Sequence, residues 1–428
     1  MKTLLKNGRI YTPEEVYTGY LAIEDQTIVY VGKERPEGSF DREKDMSGKL
    51  LMPGLFNCHT HTPMTLLRGV GSDLPLQTWL FDNIFPVEAR LTPDMMRIGT
   101  ELALLEMLAT GTVSFTDMYF YPDQMAEAVL RSGLKANISQ HVQSFDAGDR
   151  YETSQQARVM EHLAETYHGA GEGRIRVDAC LHAEYTNFSE DVVRGVAAFA
   201  REKGLHNHVH LSETASEHAD CKARHNMTPA AWFASIGMFD RPCTAAHCVW
   251  IEPADQEIFK KYGVSVAHNP TSNMKLGSGF APVPALLDAG INVTLGTDGT
   301  ASNNNLNLFE EMHLAAILHN GYHNDAALMP AGKLVEMATV NGAKAQGRMD
   351  TGVLAVGKKA DLIALDLEKP HLVPDLDTAA LLTYSAQGSD VVMTMVDGRI
   401  LYENGEFLTL DRERILFEAR EAVKELYK

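Results

Sequence analysis

The stretch Met52-Pro53-Gly54-Leu55-Phe56-Asn57-Cys58-His59-Thr60-His61 is apolar in its first half and ends in two histidines separated by one residue. In an extended strand, side chains two residues apart project from the same face. At about 3.3 Å per residue, the backbones of His59 and His61 lie roughly 6.6 Å apart, close enough for both imidazoles to reach one cation. A His-x-His pair is a weak signal by itself, so its meaning depends on what the rest of the chain supplies.

The middle of the chain alternates short apolar or β-branched segments with amphipathic segments of helical period. Together with the strand that carries His59, the predicted strands lie near residues 51–59, 112–118, 136–142, 175–182, 206–211, 244–249, 264–268 and 291–297. Eight strands alternating with helices over about 250 residues are typical of an α/β fold, the (β/α)₈ TIM-type barrel. The sequence therefore predicts a closed barrel of parallel strands.

Both ends of the chain have a different pattern of predicted secondary structure from the middle. Short strands broken by turns occupy the first fifty residues and return after about residue 355, for example in 357–365 and 391–399. We expect a small flanking β-sandwich domain built from residues 1–50 and 355–428, with a surface helix over 412–427. Residues 51–354 would then form the catalytic barrel.

Composition narrows the class of protein and of partner. The chain has 428 residues, 45% of them hydrophobic, and a formal net charge of −19, which argues against a nucleic-acid polymer or an acidic membrane surface as the main partner. Its five cysteines form no Cys-x-x-Cys pair, and this favours a reducing cytoplasm. With no signal peptide and no apolar run near 18 residues, we expect a soluble, cytoplasmic protein. The number of subunits stays open, and a homo-oligomer is compatible with the sequence.

Polar residues recur at the predicted carboxyl ends of the strands, where the active groups of such barrels gather. In chain order they are His59, His61, Asp117, His141, His182, His210, His247, His268 and Asp298. Histidine is rare in buried strands, so this recurrence indicates one active face.

Four of these residues complete a predicted metal site. His59, His61, His210 and Asp298 form a set of three histidines and one carboxylate, which suits Zn²⁺, with Fe²⁺ or Mn²⁺ as alternatives. His206 and His208 share a strand face with His210 but lie deeper, and we interpret them as structural. Residues 174–182 contain no lysine that could bridge two ions, so one ion per subunit is predicted.

The same ends of the strands carry candidates for catalysis. A divalent ion lowers the pKa of a bound water from 15.7 to roughly 7, and hydroxide attack then needs a proton shuttle. Glu213, three residues past His210, can curl back over the site as that shuttle. His247 can donate a hydrogen bond to the attacking oxygen, and Asp298 can both touch the metal and hold a proton.

These motifs together resemble the amidohydrolase superfamily. The resemblance rests on residues 53–61, His210-Leu211-Ser212-Glu213, Ala246-His247-Cys248 and Gly296-Thr297-Asp298-Gly299, and it covers essentially the whole chain. Within the superfamily, the chain is similar to the branch of chlorotriazine hydrolases and 5-methylthioadenosine/S-adenosylhomocysteine deaminases. Residues 76–80, 85–88, 269–276 and 298–305 point to the deaminases.

The resemblance implies roles for further residues. Glu213 and His182 would contact an adenine ring, and Glu88 would bind the ribose hydroxyls, because a carboxylate can accept from both. Trp79 would wall the nucleoside pocket or pack in the core, and Arg150 would meet a homocysteine carboxylate. Many such deaminases carry a further arginine where this chain reads residues 139–144, Ser-Gln-His-Val-Gln-Ser. Without it, a neutral tail fits as well as a charged one.

The sequence thus predicts a metal-dependent aminohydrolase. It would convert an adenosine-type nucleoside (S-adenosylhomocysteine, 5-methylthioadenosine or adenosine) to the inosyl product and ammonia. One alternative is a deaminase or chlorohydrolase acting on guanine, cytosine or an s-triazine, and Glu88 separates the two readings because a free base has no ribose diol. A second alternative is a non-catalytic barrel used as a binding module, in which metal ligands are usually lost.

Overall fold

The computed structural model of the protein describes residues 1–12 and 14–428. Within these residues, eighteen strands form two nine-stranded sheets. The strands, numbered in chain order, are β1 (Lys2–Tyr11), β2 (Val16–Glu24), β3 (Thr27–Gly32), β4 (Arg42–Asp45), β5 (Lys49–Pro53), β6 (Leu55–Thr60), β7 (Thr112–Tyr119), β8 (Lys135–Val142), β9 (Ile175–Val177), β10 (Ala179–Leu181), β11 (Asn207–Leu211), β12 (Cys243–His247), β13 (Ser265–His268), β14 (Val293–Leu295), β15 (Leu362–Asp366), β16 (Val391–Val396), β17 (Arg399–Glu403) and β18 (Glu406–Phe407).

The helices are α1 (Phe85–Glu88), α2 (Pro93–Ala109), α3 (Pro122–Ser132), α4 (Gln155–Tyr167), α5 (Ala170–Gly173), α6 (Glu190–Lys203), α7 (Ala215–His225), α8 (Pro229–Ser235), α9 (Pro253–Tyr262), α10 (Pro270–Lys275), α11 (Val283–Asp288), α12 (Leu308–His323), α13 (Ala331–Ala338), α14 (Val340–Ala345), α15 (Thr378–Tyr384) and α16 (Arg412–Leu426). Most of the helices connect the strands of the second sheet or follow its last strand, whereas α15 lies between two strands of the first sheet and α16 follows the last strand of the first sheet. None of the described helices combines the length and the apolar character that a bilayer crossing requires.

The second sheet is the predicted (β/α)₈ barrel. Its parallel strands follow the order β6-β7-β8-β10-β11-β12-β13-β14, and β9 pairs with β8 as the first half of the strand that β10 continues. Every residue of β6, β7, β8 and β11 is buried, as expected for strands covered by helices on one side and by the barrel interior on the other. The predicted fold class is confirmed.

The barrel closes between β6 and β14. The Asn57 side-chain amide donates to Thr297 Oγ1 over 2.7 Å, and its oxygen accepts from the Thr297 backbone N–H over 3.0 Å. The N–H of Asp298 donates to the carbonyl of His59 over 2.9 Å. A Cβ on Gly296 would lie 2.8 Å from Cβ of His59, so a residue without a side chain allows this approach. The first and the last predicted metal ligands therefore become neighbours.

The first sheet is assembled from both ends of the chain, as predicted. Its strand order is β18-β17-β16-β15-β5-β1-β2-β3, with β4 paired to β1, and the nine strands are hydrogen-bonded as one continuous mixed sheet. They enclose a hydrophobic core of their own, which includes Leu5, Leu21, Leu362 and Met393.

The first predicted barrel strand spans parts of both sheets. Residues 51–53 belong to β5 in the mixed sheet, and β6 begins at Leu55 in the barrel. A Cβ on Gly54 would lie 2.2 Å from Cγ1 of Val113, so the chain crosses between the sheets at a point of close contact. The division into domains at residues 50/51 and 354/355 stays a prediction.

Candidate active site

Five side chains converge at the carboxyl-terminal mouth of the barrel. One donor atom from each of His59, His210, His247 and Asp298 lies within 4.8 Å of the others. His61 joins them, with its Nε2 3.1 Å from Oδ1 of Asp298 and 3.3 Å from Nε2 of His210. The structure therefore brings together the four predicted metal ligands and adds His247 at the same point.

Hydrogen bonds fix the orientation of two of the imidazoles. His61 Nδ1 lies 2.8 Å from the carbonyl of Met118, and His210 Nδ1 lies 2.6 Å from the carbonyl of His182. A carbonyl only accepts, so each Nδ1 carries the proton and donates. The Nε2 of each ring then faces the shared centre, as in metal-bound histidines.

His59 carries the clearest sign of a missing partner. Its Nδ1 lies 2.9 Å from Nε2 of His208, the histidine predicted to be structural. Its Nε2 is buried, and among the described residues it has no hydrogen-bond partner. Buried polar atoms are normally satisfied, so an orphaned nitrogen beside Asp298 fits a position that a cation completes.

Two serines hold the Asp298 carboxylate. Its Oδ2 accepts hydrogen bonds from Oγ of Ser272 over 2.6 Å and from Oγ of Ser302 over 2.9 Å. Its Oδ1 faces His59 and His61 at 3.3 and 3.1 Å. Burial by itself would raise the pKa of Asp298, but the contacts with these two histidines hold it well below the ordinary value. The residue therefore presents one ionised oxygen to the centre.

The chemistry of this donor set fits a borderline divalent ion. Burial lowers the pKa of His59 to about 3 and that of His210 well below its ordinary value, so both rings are neutral and offer lone pairs. Burial also acts to lower the pKa of His61, but the contact with Asp298 raises it to about 9, and a cation would compete with that proton. Neutral imidazoles with one carboxylate are typical ligands of zinc.

Glu213 lies beside this cluster. Its Oε2 is 3.8 Å from Nε2 of His247, and its Oε1 accepts from Oγ of Ser278 over 3.3 Å. Burial raises the pKa of Glu213, so the carboxyl group can hold a proton nearer to neutral pH than an exposed glutamate. This is the property that a proton shuttle needs.

The start of α7 fixes the backbone of Glu213. Thr214 caps the helix by accepting the N–H of Glu217 over 3.2 Å. The Glu217 carboxylate in turn accepts the N–H groups of Ser212 over 3.0 Å and of Glu213 over 2.7 Å. This reciprocal capping arrangement turns the chain directly after β11 and carries Glu213 back over the site.

Two amides flank His247 and can serve either form of its ring. Nδ1 lies 2.9 Å from Oδ1 of Asn273, which can accept a hydrogen bond from it. It also lies 3.3 Å from Nδ2 of Asn269, which can donate a hydrogen bond to it. Nε2 can therefore be a bare nitrogen or a donor, depending on which amide Nδ1 uses. Both the predicted hydrogen-bonding role and ligation are open to this residue.

Glu88 lines the same cavity as the candidate metal ligands. It is the last residue of α1, which follows a π-helical turn over Thr78–Ile84. The hydroxyl of Tyr119 donates to its carboxylate. Burial raises the pKa of Glu88, and this hydrogen bond acts against the shift.

Most predicted site residues line one cavity. They are His61, Trp79, Glu88, His182, His210, Glu213, His247 and Asp298. Trp79 is both wall and core, since its side chain is buried and its indole N–H donates to the carbonyl of Val70 over 3.3 Å. His182 is steadied by Thr186, whose Oγ1 lies 3.1 Å from its Nδ1.

Arg150 lies apart from this cavity. Its side chain is 66% exposed, and its guanidinium is 3.8 Å from the carboxylate of Asp191. The sequence did not single out Tyr119, Phe85, Phe120 and Tyr185, which also line the cavity. Tyr119 carried a usable signal, because it follows Asp117 by two residues on the same strand and so shares its face.

Two polar residues at strand ends have other partners. Asp117 accepts from Oγ1 of Thr60 over 2.9 Å and from the N–H of Thr62 over 2.7 Å, so it holds the end of the His-x-His strand. His268 contacts His319 of α12, with 3.2 Å between their Nε2 atoms.

A (β/α)₈ barrel with a candidate metal-ligand set at its mouth, flanked by a mixed sheet from both chain ends, is typical of one class of hydrolase. The chain belongs to the amidohydrolase family, whose model matches residues 50–401. This confirms the resemblance seen in the motifs.

Named relatives narrow the comparison. The 5-methylthioadenosine/S-adenosylhomocysteine deaminase of Acetivibrio thermocellus is 43% identical over the full length of both chains. The 5'-deoxyadenosine deaminase of Methanosarcina acetivorans is 43% identical over 99% of this chain and 98% of its own. The structure of an adenosine deaminase from Xanthomonas campestris with bound zinc superposes with a TM-score of 0.93, at 33% identity and over 99% and 98% of the two chains.

Proposed function

We propose that the protein hydrolytically deaminates an adenosine-type nucleoside, giving the inosyl product and ammonia. The relatives named as deaminases of 5-methylthioadenosine, S-adenosylhomocysteine and 5'-deoxyadenosine support this reaction class. One observation carries the nucleoside assignment. Glu88, hydrogen-bonded by Tyr119, lines the same cavity as the donor cluster. A free base or a triazine would leave that buried carboxylate without a ligand group to bind.

The four predicted ligands are the proposed holders of one Zn²⁺ per subunit, with Fe²⁺ or Mn²⁺ as alternatives. When bound, such an ion would supply a water activated for attack on a carbon that bears an amino group. Support comes from the orphaned Nε2 of His59 and from the ionised Oδ1 of Asp298.

The remaining steps fall to side chains of this protein. Glu213 would carry a proton to the ring nitrogen beside the reacting carbon, in keeping with its burial and raised pKa. Asp298 would take a proton from the attacking oxygen, and His247 would hold that oxygen by a hydrogen bond. His182 would contact the purine edge, and Glu88 would accept the two ribose hydroxyls. Asp298 would then pass its proton to the amino group, the bond between that nitrogen and the reacting carbon would break, and ammonia would leave while the ring nitrogen keeps the proton from Glu213.

Ammonia release tests reaction and substrate together. Enzyme reconstituted with zinc would be assayed with adenosine, 5-methylthioadenosine, 5'-deoxyadenosine, S-adenosylhomocysteine, guanine and cytosine. We expect ammonia from the nucleosides and none from the free bases. Turnover of guanine or cytosine alone would contradict the proposal, and so would ammonia release by the enzyme freed of metal. Cytoplasmic location and a homo-oligomeric state stay predictions.

A further inference from the structure

A second, more open cavity adjoins the cavity that contains the donor cluster. The two share Phe85, Glu88 and Phe120 as a common wall. In the proposed function, the base sits at the donor cluster and the ribose diol on Glu88. The 5' substituent is then the part of the nucleoside left to occupy the neighbouring cavity, which we name the tail cavity.

The walls of the tail cavity are apolar or amide-bearing. Leu91, Met96 and Val159 contribute aliphatic surface, and Phe145 and Tyr121 contribute aromatic rings. Its polar lining beyond Glu88 consists mainly of four glutamines, Gln140, Gln143, Gln155 and Gln156. Among the described residues, no lysine or arginine lines it. The one lining group that is ionised in ordinary water at neutral pH is the carboxyl of Glu88.

One uncharged donor in this wall lacks a partner. The side-chain nitrogen of Gln143 is buried and, among the described residues, makes no hydrogen bond. The other amides are partly engaged: Gln156 Oε1 accepts the N–H of Gln143 over 2.7 Å, and Gln140 Nε2 donates to the carbonyl of His141 over 2.7 Å. Because Gln143 lines both this cavity and the one next to it, its nitrogen supplies a neutral donor, and not a cation, at the boundary between the two.

Arg150, the arginine that the resemblance assigns to a homocysteine carboxylate, does not line the tail cavity. Arg150 lines a different cavity, which shares Gln143, Phe145, Gln155 and Gln156 with the tail cavity. Its guanidinium is exposed and faces Asp191. A carboxylate placed in the tail cavity would meet amides and Glu88 rather than a cation.

We propose, resting on the deaminase function above, that this chain selects adenosines whose 5' substituent is uncharged. A carboxylate in the tail cavity would gain no cationic partner to replace the water it gives up, and the carboxyl group of Glu88 in the same wall would repel it. Aliphatic and aromatic walls favour an alkyl or alkylthio tail, and the volume of the cavity accepts one longer than methyl. The amino-acid tail of S-adenosylhomocysteine is the disfavoured case.

A matched substrate series tests the selection in the zinc-reconstituted enzyme. 5'-Deoxy-5'-butylthioadenosine has nearly the shape of S-adenosylhomocysteine without its two charges, and 5-methylthioadenosine is the short reference. We expect kcat/KM for the butylthio compound to match or exceed that for 5-methylthioadenosine, and to exceed that for S-adenosylhomocysteine by more than about tenfold. Equal or higher kcat/KM for S-adenosylhomocysteine would overturn the inference alone. Absence of turnover with every nucleoside would instead overturn the proposed function.

Substitutions in the wall locate the selectivity. Gln143→Arg supplies a cation and should raise the ratio of kcat/KM for S-adenosylhomocysteine to that for the butylthio compound by about tenfold. Gln143→Leu, the uncharged control, should not raise it. Arg150→Ala should leave the ratio as it is in the unchanged enzyme. A selective loss of S-adenosylhomocysteine turnover in Arg150→Ala would overturn the inference, as would an unchanged ratio in Gln143→Arg.

Discussion

The proposed contact between Glu88 and the ribose diol can be tested by changing the enzyme and the substrate in parallel. Glu88→Ala removes the acceptor, and 2',3'-dideoxyadenosine removes both hydroxyls while keeping the base. If the carboxylate binds the diol, each change alone lowers kcat/KM, and the second change adds little once the first has been made. The four combinations thus isolate the contact from any general effect of the substitution.

The size of the effect follows from the surroundings of Glu88. Its carboxyl lies in the wall of the cavity and accepts a hydrogen bond from Tyr119. A hydrogen bond to a charged group contributes about 1.5–3 kcal/mol, and the diol offers two. Allowing for water that refills the gap, we expect a loss of about 3 kcal/mol, which is more than a hundredfold in kcat/KM.

The assay is ammonia release at substrate concentrations well below KM. Glu88→Ala should lower kcat/KM for adenosine by about a hundredfold and for the dideoxy compound by less than about fivefold. Tyr119→Phe keeps the carboxylate and should cost adenosine about tenfold. Equal losses for both nucleosides in Glu88→Ala would refute the contact and return Glu88 to a role in packing.

Three further predictions concern catalysis and stability. Glu213→Gln should bind metal stoichiometrically and have a kcat 10²–10⁴ times lower, whereas His210→Ala should lose both activity and metal. Elemental analysis measures the metal content, and ammonia release measures kcat. Glu217→Gln replaces a carboxylate that accepts two backbone N–H groups, so kcat should fall about tenfold with metal content unchanged. Glu311 is buried, and burial raises its pKa from 4.5 to about 7. Its contribution to stability is therefore full below pH 4.5 and is lost as the pH rises through 7. Glutamine does not ionise, so Glu311→Gln removes this penalty. The free energy of unfolding of the variant minus that of the unchanged protein should therefore rise by about 3 kcal/mol from pH 4.5 to pH 8. Urea denaturation of both proteins at the two pH values measures this difference.

Each of these has a result that counts against it. A normal rate in Glu213→Gln would remove the proton-shuttle role. Loss of metal in Glu217→Gln would show that the cap supports His210 rather than Glu213. A stability difference that does not change with pH would mean that Glu311 ionises freely in the folded protein.

Much of the fold and of the candidate metal site could be predicted from residue spacing. Buried strands alternating with amphipathic helices specify a barrel, and strand ends specify where its active groups gather. His59, His61, His210 and Asp298 follow from that rule because they end strands that face the same mouth. Glu88 needed the resemblance to known deaminases, since it lies in the connection between β6 and β7. His182 directly follows a predicted strand, and the resemblance supplied only its role.

The same rule fails where the direction of a side chain is ambiguous. Barrel strands are buried on both faces, so burial does not tell which residues of a short strand point inward. His268 ends β13 but contacts His319 on α12, and Asp117 holds the end of the neighbouring strand. The two serines on Asp298, Ser272 and Ser302, lie in the stretches 269–276 and 298–305, but nothing in those stretches predicted that their hydroxyls would donate to this carboxylate.

Barrel closure ties catalysis to completion of the chain. Asn57 and Thr297 meet although 240 residues separate them, and Asp298 reaches the histidines of β6 only through that seam. A nascent or truncated polypeptide lacking its last barrel strand would thus hold the two β6 imidazoles without their carboxylate. A metal ion that needs all four proposed ligands would therefore bind only to the closed barrel, and its binding would stabilise the junction between the first and last strands.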